Sequence, residues 1–206
     1  MATVPCVTSL VLASASPARL ATLKAAGIEP SVVVSGVDES QITGLGPAEL
    51  AQRLAELKCM KVAEEVTGDR LVLCCDSVLE LAGQALGKPD DAADAIERWR
   101  AMRGRTGTLH TGHCLRDAAS GRQAVGTGST VVHFAEVTDT EIAAYVESGE
   151  PLHVAGAFTI DGLGGAFVTA IEGDHHNVVG LSLPLLRELV TELGHTWTDL
   201  WSRRSS

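Results

Sequence analysis

Aromatic side chains are scarce in this chain: three Phe, three Trp and one Tyr make up 3% of 206 residues. The apolar content, 45%, is carried by Ala, Val and Leu instead, the aliphatic set of a sheet covered by helices. Basic residues are few as well, 16 Lys and Arg against 26 Asp and Glu, for a net charge of −10. The only basic block is Arg203-Arg204. Without a basic footprint, DNA or RNA as a polymer is disfavoured as a partner. A small anionic ligand stays open, because a few converging cations and a metal offset a global deficit locally.

Long apolar runs are missing too, and none approaches the ~20 residues of a membrane span. Residues 9–15 end in an Ala-x-Ala-like pattern. A signal peptide, however, carries a positive n-region and a longer apolar stretch, and the first Lys or Arg here is Arg19. Cys6, Cys59, Cys74, Cys75 and Cys114 form neither a C-x-x-C pair nor a zinc ladder. An odd number of cysteines, two of them adjacent in an apolar run, reads as buried thiols in a reducing compartment. The expectation is a cytoplasmic protein with no membrane partner. There is no internal repeat and no low-complexity linker. The length suits one domain over residues 1–206, built as two joined lobes and ending in a polar tail over 195–206.

The hydrophobic pattern predicts strand, tight turn and helix at the start. Residues 9–13 form the strand, Ser16 is the N-cap, Pro17 takes the first helical position and Gly27 is the stop. Residues 31–35 read as a second strand, and Leu50, Leu54 and Leu57 mark an amphipathic helix from Pro47 to about Val66. The run 71–81 reads as a strand, turned by Ala82-Gly83-Gln84 into a short return. A helix follows over roughly 91–103, then strands over 106–116 and 122–136, a helix over 139–148, a strand near 167–171 and a last helix over 184–193. The fold class is α/β with a mixed twisted sheet and flanking helices.

Several residue patterns carry chemistry. Ser14-Ala15-Ser16-Pro17-Ala18-Arg19 stands at a strand-to-helix junction, where backbone N–H groups and the helix dipole make an anion site. Asp38-Glu39 follows a Val-rich strand. Asp76 interrupts an apolar one, a costly position for a carboxylate unless it is paired or metal-bound. Two such acidic clusters suit Mg²⁺, which takes one or two carboxylates together with substrate phosphates. Lys58 lies on the flank of its helix and Lys88 in a rigid Gly-Lys-Pro turn, point charges of the kind that phosphoryl chemistry uses. His175-His176 and His110 with His113 lack a Cys or acid at ligand spacing, so no histidine metal site is expected.

In this order, Leu12-Ala13-Ser14-Ala15-Ser16-Pro17-x-Arg19, Asp38-Glu39, Leu54-Ala55-x-x-Lys58, Asp76-Ser77-Val78, Gly87-Lys88-Pro89 and Val179-Gly180-Leu181 resemble the Maf family of nucleoside triphosphate pyrophosphatases. The stretch from Gly149-Glu150-Pro151 to Ile160-Asp161-Gly162 is similar as well, and the likeness runs from about Leu10 to Leu193. It implies a fold shared with inosine triphosphate pyrophosphatases, two lobes around a deep cleft, and often a homodimer. It also implies that Asp76 is the catalytic acid or base for water attack on the α-phosphorus. Glu39 and Asp76 would hold Mg²⁺ or Mn²⁺, while Ser14, Ser16, Arg19, Lys58 and Lys88 would grip the triphosphate.

Ser77 and Asp161 would complete the substrate contacts. Ser77 resembles the Thr that follows the Asp in the family's pyrimidine-acting branch. Acidic Asp161 resembles the Glu of the branch acting on 7-methyl-GTP, and a carboxylate accepts hydrogen bonds from a guanine edge. The base is therefore left open. Where the family often has two arginines after the Pro, the first is Ala18 here. Two further readings compete: a nucleotide-binding regulator of cell division without turnover, and an inosine/xanthosine triphosphate scavenger.

Overall fold

The computed structural model describes residues 8–37, 42 and 44–202. Among these residues seven strands, β1 (Ser9–Leu12), β2 (Ser31–Val32), β3 (Arg70–Leu81), β4 (Gln84–Leu86), β5 (Thr106–Asp117), β6 (Gln123–Phe134) and β7 (Val168–Glu172), form one mixed sheet. Its order is β2-β1-β3-β5-β6-β7, with β4 on β3. β1 pairs in parallel with β2 and β3, and the remaining pairs are antiparallel. Among the described residues, six α-helices flank it: α1 (Pro17–Ala25), α2 (Pro47–Ala63), α3 (Ala92–Met102), α4 (Asp139–Glu147), α5 (His175–Val179) and α6 (Leu183–Glu192). Among the described residues, no helix is long and apolar enough to cross a membrane.

One feature of the pairing opens the molecule. On the edge of β3 away from β5, β1 is in register only as far as Leu12 opposite Leu73, and β4 begins only at Leu86 opposite Leu79. Residues 74–78 therefore have no strand beside them on that edge, although β5 supports them on the other. The chain leaves β1 at Ala13, whose N–H still donates to the Leu73 carbonyl (2.8 Å), and turns into α1. A cleft results in mid-sheet rather than at a strand end.

Side-chain alternation sorts the core into three groups. Leu71, Leu73 and Cys75 face α1 and α6, packing with Leu23, Leu186, Leu189 and Val190. Val72 and Cys74 face α2, packing with Ala55, Cys59 and Val62. Beyond the gap, Leu79, Leu109, Val132 and Phe134 pack under α3 and α4. Five of the seven aromatics gather there. Trp99 is fully buried, with edge-on contacts to Phe134, Tyr145 and Phe167, and its indole N–H donates to the Ala157 carbonyl (2.8 Å).

Between the first and third groups lies a belt of buried polar residues: Thr111, His113, Thr130, Asn177 and Ser182. Asn177 donates through Nδ2 to the Leu109 carbonyl and to Thr130 Oγ1, both at 3.1 Å. Thr111 donates to the Asn177 carbonyl (3.1 Å). The Ser182 N–H donates to His113 Nε2 (2.9 Å), while Nδ1–H donates to the Thr111 carbonyl (2.9 Å). These bonds lock α5 onto the sheet and fix His113 as a neutral imidazole.

Burial pushes the His113 pKa down from 6.5 to about 4, and the Arg19 charge adds to that. The native state thus favours the neutral ring, and the stability this contributes is complete above pH 6.5 and lost as pH falls toward 4. The loss is about 3 kcal/mol. Urea midpoints at pH 7.5 and 4.5 should show this slope in the wild type and a shallower one in His113→Gln. Equal slopes would remove His113 from the account.

Most elements stand where the hydrophobic pattern puts them, including Ser16 as N-cap and Pro17 at the helix start. Three expectations need correction. The second strand ends at Val32 rather than 35, because it is an edge strand and the chain beyond it turns away to line the cleft with Val34, Ser35 and Gly36. Between the strand near 167–171 and the last helix, where the hydrophobic pattern gives no element, stands α5, capped by Asp174 and closed by Gly180 at φ 109°. The polar tail is not a free tail as far as 202: Leu200 is 3% exposed in the core and the Ser202 N–H donates to the Gly27 carbonyl (2.8 Å).

Candidate active site

The gap beside β3 is the floor of a cleft of about 890 Å³. Ser14, Ser16, Arg19, Lys58, Asp76, Ser77, Lys88 and Asp161 all line it. These residues come from β1–α1, α2, β3, the turn after β4 and the loop before β7, so the fold gathers positions up to 147 residues apart (Ser14 to Asp161). Glu39 lies outside the described residues.

Alternation along β3 divides the floor. Asp76 points to the α2 side, where Lys58 Nζ donates to Asp76 Oδ1. Their side chains are only 15% and 14% exposed, so neither charge is fully solvated and each partly replaces the water the other has lost. Ser77 points to the opposite side, toward α1 and α5.

Arg19 is held there by three bonds. Nε–H donates to the Gly180 carbonyl (2.7 Å), one terminal nitrogen donates to Ser14 Oγ (3.1 Å) and the other to Ser77 Oγ (3.1 Å). Ser77 is braced in turn by Thr111 Oγ1 (2.9 Å). The guanidinium therefore ties the loop before α1, strand β3 and the end of α5 into one rigid piece. Ser77 serves as an anchor for Arg19. Ser16 is occupied as N-cap, its Oγ accepting from the Arg19 N–H (3.4 Å), while its own N–H donates to Ser14 Oγ (3.2 Å).

On the far wall, the Gly87 carbonyl accepts from Arg98 (2.7 Å) and from the Gly156 N–H (3.0 Å), which fixes the turn carrying Lys88. Arg98 is itself paired with Asp94. Next to it, Glu150 organises the loop carrying Asp161. Its carboxylate accepts from Tyr145 Oη, Thr159 Oγ1 and the Leu163 and Gly164 N–H groups. Despite partial burial, these donors pull the Glu150 pKa below its usual value. Burial keeps the Tyr145 phenol protonated, and so a donor.

Some of this network was legible in the residues and some was not. Gly180 stands in a motif visible in the sequence, but that its carbonyl accepts from Arg19 follows only from how α5 docks. Thr111 and Arg98 carried no signal, since one reads as a strand residue and the other as half of an i,i+4 surface pair. Among the described residues, no cluster of three His, Cys, Asp or Glu side chains could hold a metal. His110 bonds to Glu80 and Ser129, and His113 bonds to the Thr111 carbonyl and the Ser182 N–H. His175 and His176 open α5.

The family described as Maf-like protein matches residues 9–193. The chain belongs to the Maf-like family. Relatives in that family are close. A Streptomyces coelicolor protein named nucleoside triphosphate pyrophosphatase is 63% identical over 195 residues, 94% of each chain. A Salinispora tropica protein of the same name is 61% identical over 201 residues, 96% of this chain and 89% of its own. A Microcystis aeruginosa protein, also so named, is 50% identical over 93% of this Maf-like chain and 98% of its own. Among solved structures, the Staphylococcus aureus Ham1 protein superposes at a TM-score of 0.49 with 15% identity, over 90% of this chain and 99% of that one.

Proposed function

We infer that this chain is a nucleoside triphosphate pyrophosphatase, hydrolysing a nucleoside triphosphate to the monophosphate and pyrophosphate. The observation that carries the reading is the Lys58–Asp76 pair on the unpaired stretch of β3, facing a cleft whose other cations are Arg19 and Lys88. A lone carboxylate would repel a triphosphate. A carboxylate bonded through Oδ1 to a lysine, with an anion-binding helix start beside it, can take a proton while the surrounding charge stays favourable.

In this mechanism Asp76 Oδ2 orients a water and accepts its proton as the oxygen attacks the α-phosphorus. The new P–O bond forms as the bond from the α-phosphorus to the bridging oxygen breaks, and pyrophosphate departs with the electron pair. Lys58 orients Asp76 and offsets the charge developing on the phosphoryl oxygens. Ser14 and the Ala18 N–H at the start of α1 hold the phosphates, with Arg19 giving its remaining side-chain N–H donors to the same anion and Ser16 holding the loop's shape. Lys88 neutralises the leaving pyrophosphate. Asp161 faces the nucleoside end, where its carboxylate accepts from a base edge.

A divalent cation fits this donor chemistry, since Mg²⁺ or Mn²⁺ takes one or two carboxylates and completes its shell with phosphate oxygens and water. Asp76 is the described carboxylate at that position, and Glu39 is the second that we assign. Bound there, the ion would polarise the phosphoryl oxygens and lower the charge the protein must neutralise. A homodimer in the cytoplasm belongs to the same reading. The four described cysteines, all free and buried, support a reducing compartment.

The test is pyrophosphate release from dTTP, UTP, 7-methyl-GTP, dITP and the common nucleotides with Mg²⁺ or Mn²⁺. Turnover should vanish with a chelator and return on adding metal. Asp76→Ala should lower kcat by about 10²–10⁴-fold. Nucleotide binding without turnover across the panel would sink the enzyme reading and favour a regulator. A sole preference for dITP would point to the scavenger.

A further inference from the structure

We propose that Glu150 is a positioning residue for the nucleoside end of the cleft: it sets the loop 159–164, and through it Asp161, without touching substrate. The proposal rests on the pyrophosphatase reading for its substrate and on geometry for the rest.

Glu150 opens a short 3-10 turn (Glu150–His153) that follows α4. Its Oε1 accepts from Thr159 Oγ1 (2.6 Å), Tyr145 Oη (2.9 Å) and the Gly164 N–H (3.0 Å), and Oε2 accepts from the Leu163 N–H (2.9 Å). Tyr145 Oη in turn accepts from the Thr159 N–H (3.2 Å), so both ends of the loop are tied to one carboxylate. The loop closes on it tightly. A Cβ on Gly162 would fall 2.5 Å from Glu150 Oε2, and one on Gly164 would fall 2.4 Å from Tyr145 Oη. Four donors converging on one anion leave the loop a single arrangement in which none of them is orphaned.

Asp161 stands in the middle of this loop, is itself exposed, and lines the cleft together with Thr159. The phosphate-facing residues Ser14, Arg19 and Asp76 come from β1–α1 and β3, on separate supports. Loosening the clamp therefore disturbs the nucleoside end and leaves the triphosphate end in place. Glu150 thus acts on recognition of the base more than on bond cleavage.

Glu150→Gln presents an amide where the carboxylate accepts from four donors, so at least one loop donor loses its partner. With the nucleotide the wild type prefers, KM should rise roughly tenfold while kcat changes by less than about twofold, and the kcat/KM ratios across the base panel should flatten. Inhibition by inorganic tripolyphosphate, which has no base, should be unchanged. Thr159→Val, which removes one donor and leaves the carboxylate, should show a smaller shift in the same direction. Amide exchange at Leu163 and Gly164 should quicken in both variants.

A variant that merely unfolds would weaken tripolyphosphate and nucleotide together, and that outcome would overturn the proposal. Unchanged base ratios with faster exchange at Leu163 and Gly164 would also overturn it. If the wild type turns over no nucleotide, the pyrophosphatase reading fails. The clamp is then judged by exchange and by nucleotide against tripolyphosphate affinity, where equal losses count against it.

Discussion

Lys58→Met should abolish most pyrophosphate release while leaving the fold intact. Methionine keeps much of the unbranched stem but removes the ammonium that bonds Asp76. The Lys58 side chain is 15% exposed and belongs to none of the three core groups, which take Ala55, Cys59 and Val62 from α2 instead. The substitution therefore costs little packing. It removes the group that orients the proposed base and offsets phosphoryl charge, an effect of about 10²–10³-fold in kcat. Lys58→Arg should not restore activity, because a planar guanidinium cannot reproduce a point charge at that spot. Combining Lys58→Met with Asp76→Asn should cost little more than either alone, as for residues acting as one unit. Wild-type kcat in Lys58→Met would remove the pair from catalysis.

Gly112→Ala should be the most damaging change of a single methyl. Gly112 lies on β5 directly across from Asp76 on β3, under α2. A Cβ there would stand 2.4 Å from the Ala51 carbonyl oxygen and 2.5 Å from the Ala51 carbonyl carbon and from Gln52 Cα. All three are helix backbone, so no side-chain rotation relieves the clash and α2 itself must move. Gln52 cannot follow freely, since it donates to the His113 carbonyl (3.1 Å) and accepts from Thr127 (2.9 Å). The expected cost is about 3 kcal/mol. A shift of α2 also carries Lys58 away from Asp76, and a 1 Å misplacement of that kind is worth about 10²-fold in rate. Urea midpoints and pyrophosphate release would both fall. Gly46→Ser, where a new Cβ meets nothing within 4 Å, should stay within about 0.5 kcal/mol of the wild type. A Gly112→Ala protein of full stability would mean that α2 rides higher on the sheet.

The local elements were legible because their signals are local. Ser16-Pro17 begins a helix by capping chemistry and fixed φ, whatever surrounds it. The alternation in β5 and β6 and the turn at Ala82-Gly83 identify paired strands from spacing alone. Candidate site residues could be picked out likewise: Asp76 was conspicuous as a carboxylate in an apolar strand, and Lys88 as a lysine in a rigid turn. The residue pattern overstates the length of edge strand β2, because β-propensity does not report whether a neighbour exists to pair with. α5 carries no such signal, because a helix of five residues is too short for helical periodicity. The packed segment around Leu200 was missed because one leucine in a polar run carries no periodic signal.

Sequence by itself thus determined the kinds of element, their order, the residue types able to meet a triphosphate, and the likeness to the Maf family. The tertiary structure alone decided where the cleft opens, since that depends on how far β1 and β4 run beside β3, a matter of register between distant segments. It also decided that Asp76 and Ser77, adjacent in the chain, serve opposite faces, one toward Lys58 and the other toward Arg19. The supporting contacts of Thr111, Arg98, Gly112 and Glu150 became visible only there. Their contribution is contact at a few ångströms, to distant segments for Thr111 and Gly112 and across irregular loops for Arg98 and Glu150, and no periodic pattern of residues encodes it.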